Sequence, residues 1–156
     1  MLKIELTTEI NAPIERCFLL SLSVDLHTIS TKETNEKAIA GITSGLMKLN
    51  DTVTWRAKHF GIYQNLTSQI TKYEYPTCFV DEQMKGAFKR IYHEHQFQQK
   101  ENGTIMKDIF EFEAPFGFLG KAFSKLVLAN YLRSFLEKRN TTIKEVAESE
   151  TWKMLL

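Results

Sequence analysis

Hydrophobic and polar residues alternate along most of this chain, with the period of two that is typical of β-strands. The first such stretch contains Leu2, Ile4, Leu6 and Ile10 and predicts a strand at the start of the sequence. A weaker pattern predicts a short strand near residues 36–40. Five longer strands are predicted at residues 52–60, 63–73, 77–84, 88–99 and 104–113. Because short turns join these strands, the sheet is predicted to be antiparallel.

Two short helices are predicted directly after the first strand. Ile14, Phe18 and Leu22 lie on one face of a helix over residues 14–22, because residues three to four positions apart are neighbours on a helix. Ser23 begins a second helix that extends to about Thr31, since a serine side chain can accept a hydrogen bond from a free N–H group of the first helical turn. The two helices therefore separate the first strand from the long run of later strands.

Residues 118–148 predict a long C-terminal helix whose apolar face changes direction. In the first part, one face contains Leu119, Ala122, Phe123 and Leu126. In the later part, nearly the opposite face contains Leu128, Leu132, Phe135 and Arg139. One straight helix cannot bury both faces on one sheet, so a break or bend is predicted near residues 127–130. The elements together predict an α+β domain in which a curved antiparallel sheet of about six to seven strands wraps one long helix.

The Asn102-Gly103 pair predicts a tight hairpin between the last two strands. A two-residue Asn-Gly loop favours a type I′ turn, which places Asp108 opposite Phe97 and diagonal to His95. Diagonal neighbours lie about 7 to 8 Å apart, so the carboxylate of Asp108 can reach the imidazole of His95. Because side chains alternate between the two faces of a strand, a mixed set of apolar and ionisable side chains lies on one inward face. This face includes His93, His95, Phe97, Asp108 and Phe110.

Composition indicates one ordinary globular domain. The chain has 156 residues, of which 43% are hydrophobic and 25% charged, and we assign residues 1–150 to the domain and 151–156 to a C-terminal tail. The formal net charge is +1 with both signs interspersed, so no electrostatic footprint for nucleic acid is present. No apolar run approaches the length of about 20 residues that spans a bilayer, which argues against integral membrane association.

The first strand and the cysteines of the sequence add two expectations. The first strand lacks the features of a secretory signal, so a cytoplasmic location is the default expectation. Cys17 and Cys78 have no second cysteine close by in sequence, so they form no metal-thiolate spacing and are expected to be buried free thiols.

Five stretches of the sequence carry a family resemblance. They are residues 53–61 (VTWRAKHFG), 79–88 (FVDEQMKGAF), 93–97 (HEHQF), 103–108 (GTIMKD) and 115–117 (PFG). They resemble the polyketide cyclase/dehydrase-like branch of the START and birch-pollen-allergen superfamily, also called SRPBCC. The resemblance implies the helix-grip fold, in which an antiparallel sheet grips the long C-terminal helix and a cavity lies between them.

The resemblance also implies a class of function. We expect the cavity to bind a small apolar ligand, such as a lipid, a quinone or a polyketide-like compound, without a cofactor. The superfamily includes both carriers and enzymes, so two alternatives stay open. One is a cyclase or dehydratase that uses cavity histidines and aspartate, and the other is a protein-interaction module without a true ligand. A non-enzymatic binding protein is the favoured interpretation, and a homodimer is an open alternative.

The polar residues of the inward face are the first candidates for a site. They are His59, His93, His95 and Asp108. This set can orient a carbonyl or hydroxyl group of a ligand, or act as acid and base near neutral pH. The structural interpretation, in which Asp108 only satisfies a buried histidine, is favoured over catalysis. His93 and His95 with Asp108 also resemble a metal-binding set, but the spacing is no strong motif and no metal is expected.

Aromatic residues are the other candidates. Trp55 shares its strand face with His59 and is a candidate for the cavity wall, together with Phe97 and Phe110. Three further aromatic residues follow the sheet and are candidates for a gate at the mouth of the cavity: Phe116, Phe118 and Phe123. Packing in the core is the alternative for each of them.

Overall fold

One antiparallel sheet makes up most of the described residues of this computed structural model, which are residues 1–114 and 121–156; for 121–124 only the backbone is described. Within these residues the sheet has seven strands: β1 (Leu2–Ile10), β2 (Lys37–Gly41), β3 (Thr52–His59), β4 (Ile62–Glu74), β5 (Cys78–Lys85), β6 (Arg90–Lys100) and β7 (Gly103–Glu113). Their order across the sheet is β1-β7-β6-β5-β4-β3-β2. Every pairing is antiparallel, as the sequence predicts.

Three α-helices in the described part of the chain pack against this sheet. They are α1 (Ile14–Ser21), α2 (Val24–Ser30) and α3 (Lys121–Glu148). Ser23 precedes α2 and its side-chain oxygen accepts a hydrogen bond of 3.1 Å from the backbone N–H of Leu26, which confirms the predicted helix start. Two 3₁₀ turns lie at Lys32–Thr34 and Thr151–Met154. The order of elements is the predicted α+β arrangement, with two short helices after β1 and a long helix at the end.

The predicted break in the C-terminal helix is wrong. The helix α3 runs without interruption through the 127–130 region. The prediction assumed that Leu126 needs a surface to bury it, but Leu126 is 63% exposed and its neighbour Val127 40% exposed. The later apolar face packs against the sheet, where Leu128 and Leu136 join a buried cluster with Ile4, Ile91, Phe110 and Phe112.

The main core lies at the other end of the sheet, beneath α1. Phe18 on α1 is fully buried and makes edge-to-face contacts with Phe79 and Phe97. Trp152 and Leu155 pack against the same cluster from the C-terminal end of the chain. The two clusters leave a space between the sheet and the middle of α3, and this space contains the candidate site.

The hairpin between β6 and β7 has a different register from the predicted one. Lys100 pairs with Gly103, so the two loop residues are Glu101 and Asn102, and neither is among the described residues with positive φ. Gly103 belongs to the strand because it approaches β1 closely: a Cβ atom there would lie 2.3 Å from the carbonyl oxygen of Ile10. The register therefore shifts by two residues.

The shift changes the pairing but not the faces. Asp108 lies opposite His95, whereas Met106 rather than Asp108 lies opposite Phe97. A shift of two residues keeps every side chain on its own side of the sheet, because the side-chain period is also two. The predicted inward face is confirmed, since all five of its members are buried: His93, His95, Phe97, Asp108 and Phe110.

Candidate functional site

A cavity of about 180 Å³ lies between the inward face of the sheet and the helices α2 and α3. Most of its wall is apolar, as shown by Trp55 on β3, Leu66 and Ile70 on β4, and Phe135 and Leu136 on α3. Trp55 is only 7% exposed, so its indole ring is part of the wall and not of the outer surface. The cavity lies where the sequence predicted one, between the sheet and the C-terminal helix.

All four histidines of the sequence line this cavity. His93 and His95 project from β6, His59 lies at the end of β3, and His27 lies on α2. Sequence analysis identified three of them and missed His27. Its position depends on tertiary structure, because α2 reaches the cavity only by packing over the sheet. There the ring centroids of His27 and Trp55 lie 4.2 Å apart.

Two histidines and two aspartates form the polar end of the cavity, which we call the His–Asp cluster: Asp81, His93, His95 and Asp108. Asp108 is fully buried behind the imidazole rings, and its Oδ1 lies 2.9 Å from His93 Nε2 and 3.1 Å from His95 Nδ1. Asp81 is on the cavity side, with its Oδ2 2.8 Å from His95 Nε2. The two carboxylates thus lie on opposite sides of the imidazole pair.

Helix α3 holds Asp108 from the other direction. The side-chain amide of Asn140 donates a hydrogen bond of 2.6 Å to Asp108 Oδ2. Arg139 Nη1 lies 3.5 Å from Asp108 Oδ1 and donates a hydrogen bond of 3.0 Å to the Asn140 carbonyl oxygen. Both side chains are buried, so the cluster ties the long helix to β7 through charged hydrogen bonds.

Burial and hydrogen bonding set the charges of the cluster. Burial lowers the pKa of His93 to about 4, and neighbouring His95 acts in the same direction. Burial alone raises the pKa of Asp108, but the hydrogen bond from His93 and the adjacent His95 imidazole outweigh it and bring the pKa well below the usual range. For Asp81, burial likewise raises the pKa, but the hydrogen bond from His95 and the nearby charges outweigh it, so the pKa is lowered. At neutral pH the cluster therefore contains two carboxylates and a neutral His93.

His59 lies outside the His–Asp cluster, although sequence analysis grouped them. Its Nδ1 lies 2.6 Å from the hydroxyl oxygen of Tyr131 on α3, and its ring contacts Phe135. Burial lowers the pKa of His59, which favours the neutral imidazole. His27 forms another polar pair on the wall, with its Nε2 2.9 Å from Oε1 of the buried Glu36. The His–Asp cluster, His59 and the His27–Glu36 pair are therefore separate polar points on a mostly apolar wall.

The structure distributes the predicted site residues over three places. Those on the cavity wall are Trp55, His59, His93, His95 and Phe110. Asp108 lies behind the histidines, and Phe97 packs with Phe18 and Phe79 in the core. Phe116 and Phe118 lie outside the described residues, as does the side chain of Phe123.

Sequence analysis missed Asp81, Arg139 and Asn140. Strand alternation places either Asp81 or Glu82 on the inward face, and the pairing of Asp81 with His93 decides which one. Arg139 gave a usable signal, because it is the charged member of an otherwise apolar helix face with Leu128, Leu132 and Phe135. A cation on such a face predicts a buried acidic partner.

Comparison with known proteins gives the class of fold. The chain is similar in structure to the Zhui aromatase/cyclase from Streptomyces sp. R1128, with a TM-score of 0.72 and 12% identity over 94% of this chain and 93% of that one. It is also similar to TTHA0849 from Thermus thermophilus, with a TM-score of 0.71 and 16% identity over 91% and 97% of the two chains. A third similar structure is the ginseng major latex-like protein 151 from Panax ginseng, with a TM-score of 0.64 and 15% identity over 95% and 98%.

These likenesses establish the helix-grip fold, which the resemblance of the sequence motifs predicted. In sequence, the chain matches no protein-family model and no curated protein. Among the described residues, no helix is long and apolar enough to cross a membrane.

Proposed function

We propose that this chain binds one small, mainly apolar molecule in the cavity between the sheet and α3. The observation that carries the proposal is the composition of the cavity wall: apolar and aromatic side chains, with a few polar groups that converge from β5, β6 and α3. Ligand sites of proteins typically have this composition, because apolar contacts supply affinity and a few polar groups fix the orientation.

The size of the cavity narrows the ligand class. A volume of about 180 Å³ is smaller than the roughly 300 to 1,000 Å³ of sites for drug-sized molecules. It is close to the cavities of about 150 Å³ that accept benzene. Among lipids, quinones and polyketide-like compounds, a compact ring compound of the quinone type therefore fits best.

The polar groups of the wall define how such a molecule is held. Asp81 and His95 present their hydrogen-bonding atoms at one end of the cavity, and His59, which pairs with Tyr131 behind it, lies at another point of the wall. A ring compound with one or two oxygen substituents can place a hydroxyl or carbonyl group against these points and its rings against Trp55 and Phe135.

A cyclase or dehydratase is the second candidate function. It is favoured by one observation, the pairing of cavity-facing imidazoles with carboxylates, which is an arrangement suited to proton transfer. The His95–Asp81 pair is the better placed of the two, since Asp81 reaches the cavity and Asp108 does not. Loss of turnover in Asp81→Asn, with ligand binding retained, would favour the enzyme over the carrier.

Native mass spectrometry tests the binding proposal. Chelator-treated protein is incubated with a panel of quinones, flavonoid-like compounds, fatty acids, nucleotides and sugars, and the mass of the intact complex is measured. We expect one quinone or flavonoid-like molecule per chain. Binding of a nucleotide or sugar alone, or of nothing in the panel, contradicts the proposal. The same spectra report whether the protein is a monomer or a dimer.

A further inference from the structure

We propose that Asp81, His93 and His95 form a binding site for one divalent transition-metal ion of the zinc class at the wall of the cavity. The ligand atoms are one carboxylate oxygen and one nitrogen from each imidazole, and all of them lie within 4.8 Å of one another. The inference is independent of the organic ligand, because it depends only on the arrangement of these side chains.

The distances are close to those of a bound ion. Zn²⁺ holds nitrogen and oxygen ligands at about 2.0 to 2.2 Å, so tetrahedral neighbours lie about 3.4 Å apart. Asp81 Oδ2 lies 2.8 Å from His95 Nε2 and 3.8 Å from His93 Nδ1. These two distances lie on either side of the spacing that a tetrahedral ion requires.

The second nitrogen of each imidazole supports the assignment. His93 Nε2 and His95 Nδ1 both point toward Asp108 Oδ1, at 2.9 and 3.1 Å. Metal-bound histidines almost always donate their other N–H group to a carboxylate or carbonyl, which fixes the tautomer and the ring orientation. Asp108 cannot bind the ion itself, because it lies behind the rings and is held there by Asn140.

The two nitrogens of His95 differ in their partners, because Nε2 pairs with Asp81 whereas Nδ1 is a buried nitrogen without a hydrogen bond. The side chain is 1% exposed, and its Nδ1 lies near Asp108 without the geometry of a hydrogen bond. A neutral imidazole has one proton, yet carboxylate oxygens face both nitrogens of His95. A metal ion bound to Nε2 places the single proton of the neutral imidazole on Nδ1, which lies 3.1 Å from Asp108 Oδ1.

The backbone makes the set rigid. Asp81 on β5 pairs directly with His93 on β6, and His95 follows on the same face two residues later. Sequence analysis expected no metal because the spacing of His93, His95 and Asp108 is no strong motif, and it did not include Asp81, which strand pairing brings to the two histidines. Asp81 takes the place of the metal-binding carboxylate.

Two imidazoles and one carboxylate suit Zn²⁺, and the same set with open positions also suits Fe²⁺. All three residues line the cavity, so the remaining coordination positions of the ion face the space where a small molecule can enter. An oxygen atom of a cavity ligand could then complete the coordination.

Calorimetric titration with ZnCl₂ alone tests the site. Chelator-treated wild-type protein should bind one Zn²⁺ per chain, and Asp81→Asn should weaken the affinity by at least about tenfold. Asp81 is partly exposed, with 27% of its side chain accessible, so the variant is expected to fold, which circular dichroism checks. Glu82→Gln, which removes the neighbouring carboxylate on the other face of β5, and His59→Gln are matched controls that should bind as the wild type does.

Cobalt provides a second readout that does not depend on a variant. Co²⁺ in a site with two nitrogen ligands and one oxygen ligand should give visible absorption bands that disappear when Zn²⁺ is added. Absence of a one-to-one Zn²⁺ complex in the wild type, or equal affinity in Asp81→Asn, would overturn the proposal. Since the organic panel is measured on chelator-treated protein, that result leaves the binding of organic molecules as a separate question.

Discussion

Replacing Asp108 with alanine is expected to lower the free energy of unfolding by about 3 to 5 kcal/mol. Asp108 is fully buried and accepts hydrogen bonds from His93 and Asn140, while Arg139 lies beside it. Its removal leaves a buried guanidinium group without its carboxylate and two polar side chains without an acceptor. A cost of this size is characteristic of breaking a buried ion pair by removing one partner.

Urea unfolding in a chelator-containing buffer measures this loss. Glu111→Ala is the matched control, because Glu111 lies on the same strand but faces away from the cavity, so its removal should change the stability by about 0.5 kcal/mol or less. An unchanged unfolding midpoint in Asp108→Ala, together with a lost ligand affinity, would instead show that Asp108 serves the ligand and not the fold.

The same contacts predict that acid destabilises the wild-type protein. The pKa of His93 is lowered to about 4 and that of Asp108 lies well below its usual value, so the unfolded chain binds more protons than the folded chain as the pH falls. The stability that these groups contribute is complete above the ordinary histidine pKa of about 6.5 and is lost progressively below it. The Asp108→Ala variant has no carboxylate to protonate at this position, so its free energy of unfolding should fall less steeply with decreasing pH. Urea unfolding at a series of pH values measures this difference.

Filling the cavity from the strand side is expected to weaken ligand binding by at least about tenfold, which corresponds to about 1.4 kcal/mol. Ser68 on β4 is 8% exposed and lines the cavity, so Ser68→Phe places an aromatic ring in the space that the ligand needs. Asn65→Phe is the matched control, because Asn65 is exposed on the same strand. A folded Ser68→Phe protein that binds the ligand with full affinity would contradict the assignment of the cavity.

The side of the sheet on which each strand residue lies could be predicted from the sequence. The residues that pair with it on the neighbouring strand could not. Alternation alone put His93, His95 and Asp108 on the inward side, and a shift of two residues in the hairpin left this result unchanged. The register itself depends on the approach of Gly103 to Ile10, residues that are far apart in the sequence. The Asn-Gly rule describes the turn in isolation and does not include the neighbouring strand.

The rest of the candidate site depends on contacts between distant elements. Asp81 meets His95 through strand pairing, and the side chains of Arg139 and Asn140 reach Asp108 because α3 packs across the sheet. The predicted break in α3 was wrong for a related reason. The prediction from periodicity assumed that every apolar residue is buried. Leu126 violates this assumption by its exposure of 63%.

Fluorescence titration of the Trp152→Phe variant tests the central claim most directly, namely that the cavity between sheet and helix binds the ligand. The sequence contains two tryptophans, and Trp152 lies in the C-terminal 3₁₀ turn, where Arg16 stacks on its ring at 4.0 Å. Its replacement leaves Trp55 in the cavity wall as the reporter. The cavity assignment predicts saturable quenching of Trp55 by a quinone at one molecule per chain. Unchanged Trp55 emission while mass spectrometry shows the same molecule bound would place the binding site elsewhere and contradict the assignment.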